Sequence, residues 1–584
     1  MTSVDSKTSG VIQNLDRISE LPEPMILNIL SCLPLEDSAR ASILSKTWKS
    51  FCSLNPILYY DHNLFALQSM VGGDEPDINQ IRDMFLDDVH HHLSRARQLD
   101  SPIRKLALKV AINDSNCFSR LDKCLELLRH INVQDLCVIV QTVGYFWKDL
   151  FCDEDDIYEF PISVLASKGL RSVSIRGCMF AKEAFVGDPI NKRPGVSFSS
   201  LQRLCLSHVY IKDHAFDNLV TYCPGVEILV IDSCSVLMDS LELSRFPKLK
   251  NALIEFQLGR INHIGIADTN LECFKCTINI GTECHISPAA CASIRELTLL
   301  GCTLNQPSLF ADFAATFPLV EEADIFIHDT ETFKAVSNVL RKLKFSRYGS
   351  VPLKEVHVDC PRLTSLDCFS YGLVKVYVDC PKLRVFHFRG STVPKRLFFS
   401  PVADLEESRF KISVNYAYDT LWFINLRAFL VLAMASPTYV FLTFALPMAT
   451  FEPEQVEAFH ASPQYNIHLT VWVTPEVGEN VTALVDAMLW VIRPTTLVVG
   501  CGFYHLLKYL CENLMKKAEV NICDEQVPES YPCWMHHLKD FQAESDFKIE
   551  SSLDIPDIKE NLVDLADQCR TFSNHIYFTF RWSN

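Results

Sequence analysis

The sequence predicts an α/β protein in which a small all-α segment precedes a long array of strand-containing repeats and a C-terminal α/β cap. Three observations predict this fold class. The chain has 584 residues, whereas one hydrophobic core serves about 100–200 residues, so several domains or a repeat array is expected. A short apolar template recurs after about residue 100, and apolar residues before residue 60 follow a helical spacing.

The repeated template reads apolar, two residues, apolar, one residue, apolar, two residues, Cys, one residue, apolar. Between Leu201 and Ile294 its copies start at nearly even intervals, in the range of roughly 20–29 residues that is typical of leucine-rich repeats. Such repeats stack into a horseshoe-shaped solenoid because no repeat buries its apolar face alone. Three copies satisfy every position: Leu170-Val173-Ile175-Cys178-Phe180, Val226-Leu229-Ile231-Cys234-Val236 and Ile294-Leu297-Leu299-Cys302-Leu304.

Other copies depart from the template but keep its apolar positions. The copy at Leu201 has Val209 in the cysteine position. We expect the apolar residues to share one face of a short strand and the cysteine to fill the bend that follows. Weaker copies start at Ile103, Val133, Leu249, Leu271, Val320, Leu353 and Leu373.

A sharper 20-residue repeat relates 353–363 to 373–383, since both contain Val-x-Val-Asp-Cys-Pro. The segments between them, Leu363-Leu366-Cys368 and Leu383-Phe386-Phe388, suggest a sub-period of ten.

Composition bounds the class of protein and its compartment. Hydrophobic residues make up 48% of the chain and charged residues 21%, so most of it should fold. The net charge of −17 repels phosphate backbones, so we expect no nucleic-acid partner. The 23 cysteines are odd in number and the segment 1–20 contains no apolar run, which favours a reduced protein in the cytoplasm, the nucleus or both.

The stretch from Ala428 to Phe451 contains no charged residue and matches the roughly 20 residues of a membrane-spanning helix. Pro437 and Pro447 interrupt it, and Tyr439 to Phe444 is rich in aromatic and β-branched residues. We therefore expect a helix, a turn and a buried strand here, and no membrane partner.

The two ends of the chain differ from the repeats. Residues 1–15 read as a disordered tail, residues 16–60 as a helical module and residues 61–100 as a helical linker with a helix from Asn79 to Leu99. The repeats occupy 101–420. Residues 421–584 should hold further repeats and the cap, with four elements: strand Ile467–Val473, helix Val481–Ile492, strand Thr496–Gly500 and helix Tyr504–Lys517.

The helical module resembles the F-box over residues 18–51. It opens Ile18-Ser-Glu-Leu21-Pro22, continues through an apolar helix face to Leu33-Pro34, and closes Leu44-Ser45-Lys46-Thr47-Trp48. The whole chain is similar to plant F-box/LRR-repeat proteins, with Ser101 to Lys105 at the start of the repeats and the turn Cys223-Pro224-Gly225-Val226-Glu227 before a repeat strand. The segment Cys533–Asp540 also resembles the family, but no FBD domain is recognised, so the C-terminal module stays unnamed.

This resemblance implies a substrate receptor of an SCF-type ubiquitin ligase. The F-box would dock on a Skp-type adaptor, which links to cullin and RING subunits, and the repeats would bind a protein target. A module of about 45 residues is too small to bury all its apolar groups, so the surplus should form a partner patch; the alternative is the core of a helical hairpin. By motif, the docking residues are Leu21, Pro22, Ile26, Ile29, Leu30, Leu33, Pro34, Leu44, Ser45 and Trp48.

A search of the sequence for catalytic, cofactor-binding and metal-binding motifs predicts none of these sites. No phosphate loop, nucleophile elbow or zinc-protease motif occurs in the sequence. The metal candidates also fit structural roles: Cys273, Cys276, Cys284 and His285; His90 to His92; Cys533, His536 and His537. The acidic cluster 153–156 is either a solvated loop or an attractor for a basic target. The other hypotheses are a scaffold that assembles partners without degradation, a small-molecule co-receptor and a thiol enzyme.

Overall fold

We describe the protein from a computed structural model. Before Ile57 it describes Leu21, Pro22, Met25, Ile26 and Ile29. From 57 to 582 it describes the chain with gaps, the longest at 143–156, 181–197, 305–315, 453–465, 520–532 and 546–574. The chain divides into two compact units: unit 1 comprises Met1–Gly265 with Ile278–Thr282, and unit 2 comprises Ile266–Thr277 with Glu283–Asn584.

Unit 1 is an α/β unit whose described helices precede most of its strands. The helices are α1 (His62–Ser69), α2 (Ile78–Gln98) and α3 (Phe118–Leu127), and 3₁₀ turns lie at Leu128–His130, Ile162–Ala166 and Leu243–Arg245. The strands are β1 (Ile57–Asp61), β2 (Ile103–Ile112), β3 (Val133–Thr142), β4 (Ser172–Arg176), β5 (Met179–Phe180), β6 (Arg203–Ser207), β7 (Tyr210–Ile211), β8 (Ile228–Asp232), β9 (Ser235–Leu237), β10 (Ser240–Glu242), β11 (Asn251–Phe256), β12 (Leu258–Arg260) and β13 (His263–Gly265).

The main sheet of unit 1 is a parallel ladder in sequence order, β1–β2–β3–β4–β6–β8–β11. The template's apolar positions lie opposite one another across this ladder. Burial of each such side chain stabilises the fold by about 1.5–3 kcal/mol, and successive repeats supply the cover that one repeat lacks. One core row, at most 1% exposed, consists of Val138, Ile175, Leu206, Ile231 and Ile254.

Helix α2 begins one residue before the predicted start and ends one residue before the predicted end, so the helix expected at Asn79–Leu99 is confirmed. Its apolar residues recur at helical spacing and are buried: Ile81, Phe85, Leu86, Val89 and Leu93. The thiol of Cys124 on α3 donates to the carbonyl of Leu86, 3.5 Å away, which joins the two helices.

Unit 2 holds the remaining described strands and helices. The strands are β14 (Cys273–Ile278), β15 (His285–Ser287), β16 (Glu296–Leu300), β17 (Thr303–Leu304), β18 (Glu322–Ile327), β19 (Thr332–Val336), β20 (Lys342–Arg347), β21 (Glu355–Asp359), β22 (Ser365–Ser370), β23 (Lys375–Asp379), β24 (Val385–Gly390), β25 (Arg396–Phe399), β26 (Glu407–Val414), β27 (Thr438–Phe444), β28 (Ile467–Val473), β29 (Thr496–Gly500), β30 (Leu538–Ser545) and β31 (His575–Trp582). The helices are α4 (Thr420–Leu432), α5 (Thr482–Ala487), which continues as a π turn (Met488–Ile492), and α6 (Tyr504–Glu519); a 3₁₀ turn lies at Cys533–His536.

The main sheet of unit 2 is also a parallel ladder, β14–β16–β18–β20–β22–β24–β26–β27–β28–β29. It ends in antiparallel pairs, with β31 between β29 and β30. A second parallel sheet runs β19–β21–β23–β25.

The ten-residue sub-period has a structural explanation. Strands β21 and β23, which carry the repeated Val-x-Val, belong to the second sheet, where Val356 lies opposite Val376. The intervening strands β22 and β24 belong to the main sheet, where Leu366 lies opposite Phe386. Each 20-residue repeat therefore supplies one strand to each sheet, and the half-step of ten is the passage from one sheet to the other.

A left-handed residue ends the strand in each full copy of the template. The residue before the cysteine position has positive φ in four repeats: Gly177 (76°), His208 (52°), Ser233 (52°) and Gly301 (76°). Its amide can then turn towards the next repeat, and that of Ser233 donates to the Glu255 carbonyl at 2.8 Å. The bend costs a non-glycine residue some backbone strain, which glycine avoids.

The cysteine after this bend is buried, as the template predicts. Cys178 and Cys234 are 1% and 0% exposed. The thiol of Cys234 donates to the carbonyl of Leu206 in the preceding repeat at 3.4 Å. Cys360 and Cys380, from the 20-residue repeat, donate in the same way to Ala335 and Val358. Cys302 lies outside the described residues.

Two elements at the ends of the ladders differ from the sequence reading. The chain was expected to stay helical to about Tyr60, but Ile57–Asp61 forms β1 and pairs with β2. The antiparallel strand β31 was not predicted, although its alternation of buried and exposed residues is complete. The uncharged stretch is a helix followed by a strand, α4 and β27, as expected. Among the described residues no helix has the length and apolar character to cross a membrane.

Candidate interaction surfaces

The N-terminal candidate surface lies on Met25, Ile26 and Ile29, which have helical backbone conformation after Pro22. The amides of Met25 and Ile26 donate to the carbonyl of Pro22 at 2.9 and 3.2 Å, which sets the helix in register. Ile26 is fully buried, whereas Met25 and Ile29 are 52% and 37% exposed. Since residues four apart share a helix side, Met25 and Ile29 present an apolar pair to solvent.

Four of the ten predicted docking residues can be placed. Ile26 faces the interior, Leu21 is half-buried, and Pro22 and Ile29 are exposed. Met25 was not predicted to take part in docking, although it lies four residues before Ile29, the spacing that places two residues on one side of a helix. The other six lie outside the described residues: Leu30, Leu33, Pro34, Leu44, Ser45 and Trp48.

The solvent-facing side of the main sheet in unit 2 begins with paired charges. Between β14 and β20 each lysine on this face has a carboxylate partner on the adjacent strand. The pairs are Lys275–Glu296 at 3.1 Å, Lys342–Glu322 at 2.8 Å and Lys344–Asp324 at 2.7 Å. Exposed pairs of this kind contribute only about 0–1 kcal/mol each, so this part of the face is electrically balanced.

The same face changes character from β24 onwards, where aromatic rings lie beside charges that are still partly paired, such as Arg409 with Glu407. The guanidinium of Arg409 lies 5.4 Å from the centroid of the Tyr439 ring. Tyr439 in turn stacks on His468 with centroids 5.1 Å apart. Trp472 contacts Phe503 at 5.8 Å between centroids. Sequence reasoning missed this cluster because its members lie on different strands, and long connecting segments separate them along the chain.

A second aromatic row crosses the smaller sheet. The rings of His357, Tyr377 and Phe398 stack across β21, β23 and β25, with centroid distances of 4.4 and 4.9 Å. Phe398 ends the row and is 53% exposed. The stack is a cross-strand arrangement that stabilises the sheet, and the outer ring face of Phe398 remains open to solvent.

A polar groove of about 650 Å³ in unit 1 borders three successive repeats at the starts of β3, β4 and β6. Arg129, His130 and Arg171 line it, and the two arginines contribute positive charge. Arg129 ends the 3₁₀ turn after α3, where the helix dipole stabilises a cation, so a structural role accounts for Arg129.

The metal candidates do not converge in the described part of the chain, where no group of three or more His, Cys, Asp or Glu side chains could hold an ion. Cys276 is fully buried in the core face of β14, as the template predicts, while Cys273 lies on the other face. The three histidines 90–92 are exposed on α2. His537 lies against the Trp490 ring at 4.8 Å, and burial lowers its pKa.

The buried thiols are not activated for nucleophilic attack. Burial raises the pKa of Cys223, Cys360 and Cys380 to about 12. Since the thiolate is the reactive species, these thiols stay protonated at neutral pH. A reactive cysteine needs the opposite shift, from a nearby cation or helix N-terminus.

Comparison with known proteins matches both parts of the chain. The F-box domain family matches residues 18–60. The family described as FBD-associated F-box protein At5g56370, LRR repeats, matches residues 121–302. The second match covers two full copies of the template and the third as far as Cys302, and the first covers the predicted docking helix.

Curated relatives come from Arabidopsis thaliana. The F-box/LRR-repeat protein At3g03360 is 24% identical over 302 residues, which cover 52% of this chain and 55% of that protein. The F-box protein At3g59000 is 30% identical over 39% of this chain and 42% of its own. The F-box/FBD/LRR-repeat protein At2g04230 is 29% identical over 37% of this chain and 42% of its own. The chain thus spans about half the length of the curated relatives it matches, or less.

Proposed function

From its place among plant F-box/LRR-repeat proteins, we propose that this chain is the substrate-recognition subunit of an SCF-type cullin-RING ubiquitin ligase. The F-box docks on a Skp-type adaptor, and through it on cullin and RING subunits. The leucine-rich repeats bind a protein target for ubiquitination. We place this activity in the cytoplasm, the nucleus or both.

The observation that carries the proposal is the exposed apolar pair Met25 and Ile29 beside the buried Ile26. Apolar side chains that a small helical module leaves in solvent mark a partner site. They lie within the segment that matches the F-box domain. Leu21, Pro22 and Ile29, from the predicted set, surround or belong to the same exposed turn.

The chain itself performs no chemistry in this proposal. It holds a target near a charged ubiquitin carrier and so raises the effective concentration of the reacting groups. The two parallel ladders supply the surface that binds the target. In this proposal they belong to a leucine-rich-repeat solenoid, and the antiparallel strands β30 and β31 form its C-terminal cap. We keep the domain limits 16–60, 61–100, 101–420 and 421–584 within this proposal.

The test is co-purification of the full chain with a Skp-type adaptor. The wild type should bind, and Leu21→Ala/Pro22→Ala should lose most of that binding. The Pro22 carbonyl that receives the helix amides is kept in this variant, so the helix start survives. The matched control is Met84→Ala, which truncates a 51% exposed apolar residue on α2 and should bind as the wild type does.

Absence of adaptor binding by a folded wild type would contradict the proposal. A scaffold that assembles partners without degradation would then become the leading function, since it needs the repeats but not the adaptor.

A further inference from the structure

The C-terminal part of the main sheet in unit 2 carries a surface that we call the basic–aromatic face, defined by Arg389, Arg409, Lys411, Phe441, Trp472 and Tyr577. We propose that this face binds an extended, acidic segment of the target protein that also carries aromatic or large aliphatic side chains. The proposal rests on the proposed function and names the target chemistry for it.

The residues of this face form a continuous row across the strands. Arg389 lies opposite Lys411 and Lys411 opposite Phe441. The row continues through Thr470 and Val498 to Tyr577. With strands about 4.8 Å apart, these five steps span about 24 Å, which an extended segment covers with about seven residues. The row therefore has cations at one end and an aromatic ring at the other.

The aromatic side chains of the face are unusually open to solvent. Phe441, Trp472 and Tyr577 are 38%, 43% and 42% exposed. Exposed Trp and Tyr are the residues that most often anchor protein partners, because they supply a large contact area for a small loss of side-chain freedom. The Trp472 ring packs edge to face against Phe503, and its centroid lies 6.5 Å from that of the His575 ring.

The charge on this face is compensated only in part. Lys411 is exposed and makes no ion pair in the described part of the chain. Arg389 is 54% exposed and lies 3.8 Å from Asp367, beyond hydrogen-bond distance. Arg409 is paired with Glu407. The β14–β20 part of the same face pairs each of its lysines. The unpaired Lys411 lies on β26, directly beside β27, which carries Phe441.

Charge complementarity selects the partner. The unpaired Lys411 and the loosely paired Arg389 attract carboxylates and steer their approach, and the neighbouring rings receive apolar side chains. A nucleic acid also combines negative charge with stacking, but the chain carries a net charge of −17, which repels a long phosphate backbone. We therefore argue for an acidic protein segment and make a nucleic acid an outcome of the test.

The experiment is fluorescence anisotropy with the full chain and labelled ten-residue probes. The first probe alternates pairs of Asp or Glu with Phe or Leu. Two control peptides replace the acidic residues by Lys and Arg, or the apolar residues by Ala, and a fourth probe is a ten-nucleotide oligothymidylate. We expect the acidic–apolar peptide to bind at least about tenfold more tightly than each of the others.

Matched variants locate the binding. Trp472→Ala and Lys411→Glu should each weaken binding of the acidic–apolar peptide by about tenfold or more. The controls are Phe398→Ala, which removes an equally exposed ring from the smaller sheet, and Lys382→Glu, which makes the same charge change off the face; both should stay within about twofold of the wild type. Raised salt should weaken wild-type binding.

Four outcomes would overturn the proposal: unchanged binding by Trp472→Ala and Lys411→Glu, equal binding of the basic peptide, tighter binding of the oligothymidylate, or no binding tighter than about 1 mM by a folded chain. Adaptor co-purification of the same variants separates this result from the proposed function. If a face variant loses peptide binding but still binds the adaptor, the result concerns the face alone. If the wild type fails to bind the adaptor, the result contradicts the ligase role and leaves the peptide result standing.

Discussion

The indole Nε1 of Trp534 donates a hydrogen bond to the carboxylate of Asp486 at 2.8 Å, inside the C-terminal part of unit 2. The hydroxyl of Tyr509 donates to the same carboxylate at 3.1 Å. One carboxylate thus joins three elements: α5, α6 and the 3₁₀ turn at Cys533–His536. Trp534 is fully buried, so this polar junction lies within an apolar setting.

Replacing Asp486 should change how stability depends on pH. Burial raises the pKa of Asp486 to about 6 from 3.8, and the hydrogen bonds from Trp534 and Tyr509 limit the rise. A raised carboxyl pKa means that the folded state holds the proton more tightly, so this stabilisation is full below pH 3.8 and is lost as pH rises through about 6. The wild type should therefore lose stability relative to Asp486→Asn between pH 4 and 7, by at most about 3 kcal/mol.

Urea unfolding of both proteins across this pH range measures the difference. Asp379→Asn, which removes an exposed carboxylate, is the control variant. A constant difference between wild type and Asp486→Asn at all pH values would contradict the assignment.

Gly177 should not tolerate a side chain. A Cβ at this position would lie 2.0 Å from the Val140 carbonyl oxygen, and the residue has a φ of 76°. Clash and backbone strain together should destabilise Gly177→Ala by about 2–4 kcal/mol, measured as the shift in the urea midpoint. Ser233→Gly occupies the equivalent bend without a clash and should stay within about 1 kcal/mol of the wild type; an equal loss in both would disprove the explanation.

The thiols should divide by burial when the folded chain is alkylated. Cys360 and Cys380 are fully buried, whereas Cys205 is half-buried on the open face of β6. Iodoacetamide at pH 8 should modify Cys205 first and leave the other two intact, because the thiolate must form and be reached. Peptide mapping by mass spectrometry gives the order in which the thiols are alkylated. Unfolding in guanidinium should make the three thiols react at similar rates. Comparable rates for Cys360 and Cys205 in the folded chain would refute the buried role.

Charges at the exposed helical pair should abolish adaptor docking without unfolding the chain. Met25→Glu/Ile29→Glu places two carboxylates where the partner's apolar surface would lie, and burying them without partners is costly. We expect at least about a tenfold loss of affinity for a Skp-type adaptor. Met84→Glu, an exposed methionine on α2, should bind normally. Retained binding by the double variant would place the docking surface elsewhere on the F-box.

The sequence predicted the elements whose stabilising contacts repeat along the chain. The template located the core rows because Ile175, Leu206 and Ile231 occupy the same position in successive repeats and stack there. Outside the template, the apolar pattern of the C-terminal part predicted the bounds of β28 and β29. Strand β1 was missed because Ile57 to Asp61 carries no template and pairs with β2, which the chain reaches only after helices α1 and α2.

The candidate surfaces also differ in whether a local sequence pattern marks them. The docking helix has a local signature, so Ile26 and Ile29 could be named from sequence. The basic–aromatic face has none, because Lys411, Phe441 and Tyr577 become neighbours only through the pairing of strands. The left-handed bend was hidden for another reason: Ser233 and His208 occupy it as well as glycine, so no single residue type marks it.

The passage between sheets every ten residues has a consequence for the growth of such proteins. Each 20-residue copy brings one strand for each sheet, and its strands pair only with those of the copies before and after it. A duplicated copy can therefore be inserted without altering any pairing inside the older ones. The main sheet would widen by about 4.8 Å per added copy, so a lineage can enlarge its outer surface in whole increments while the interior of every existing copy stays as it was.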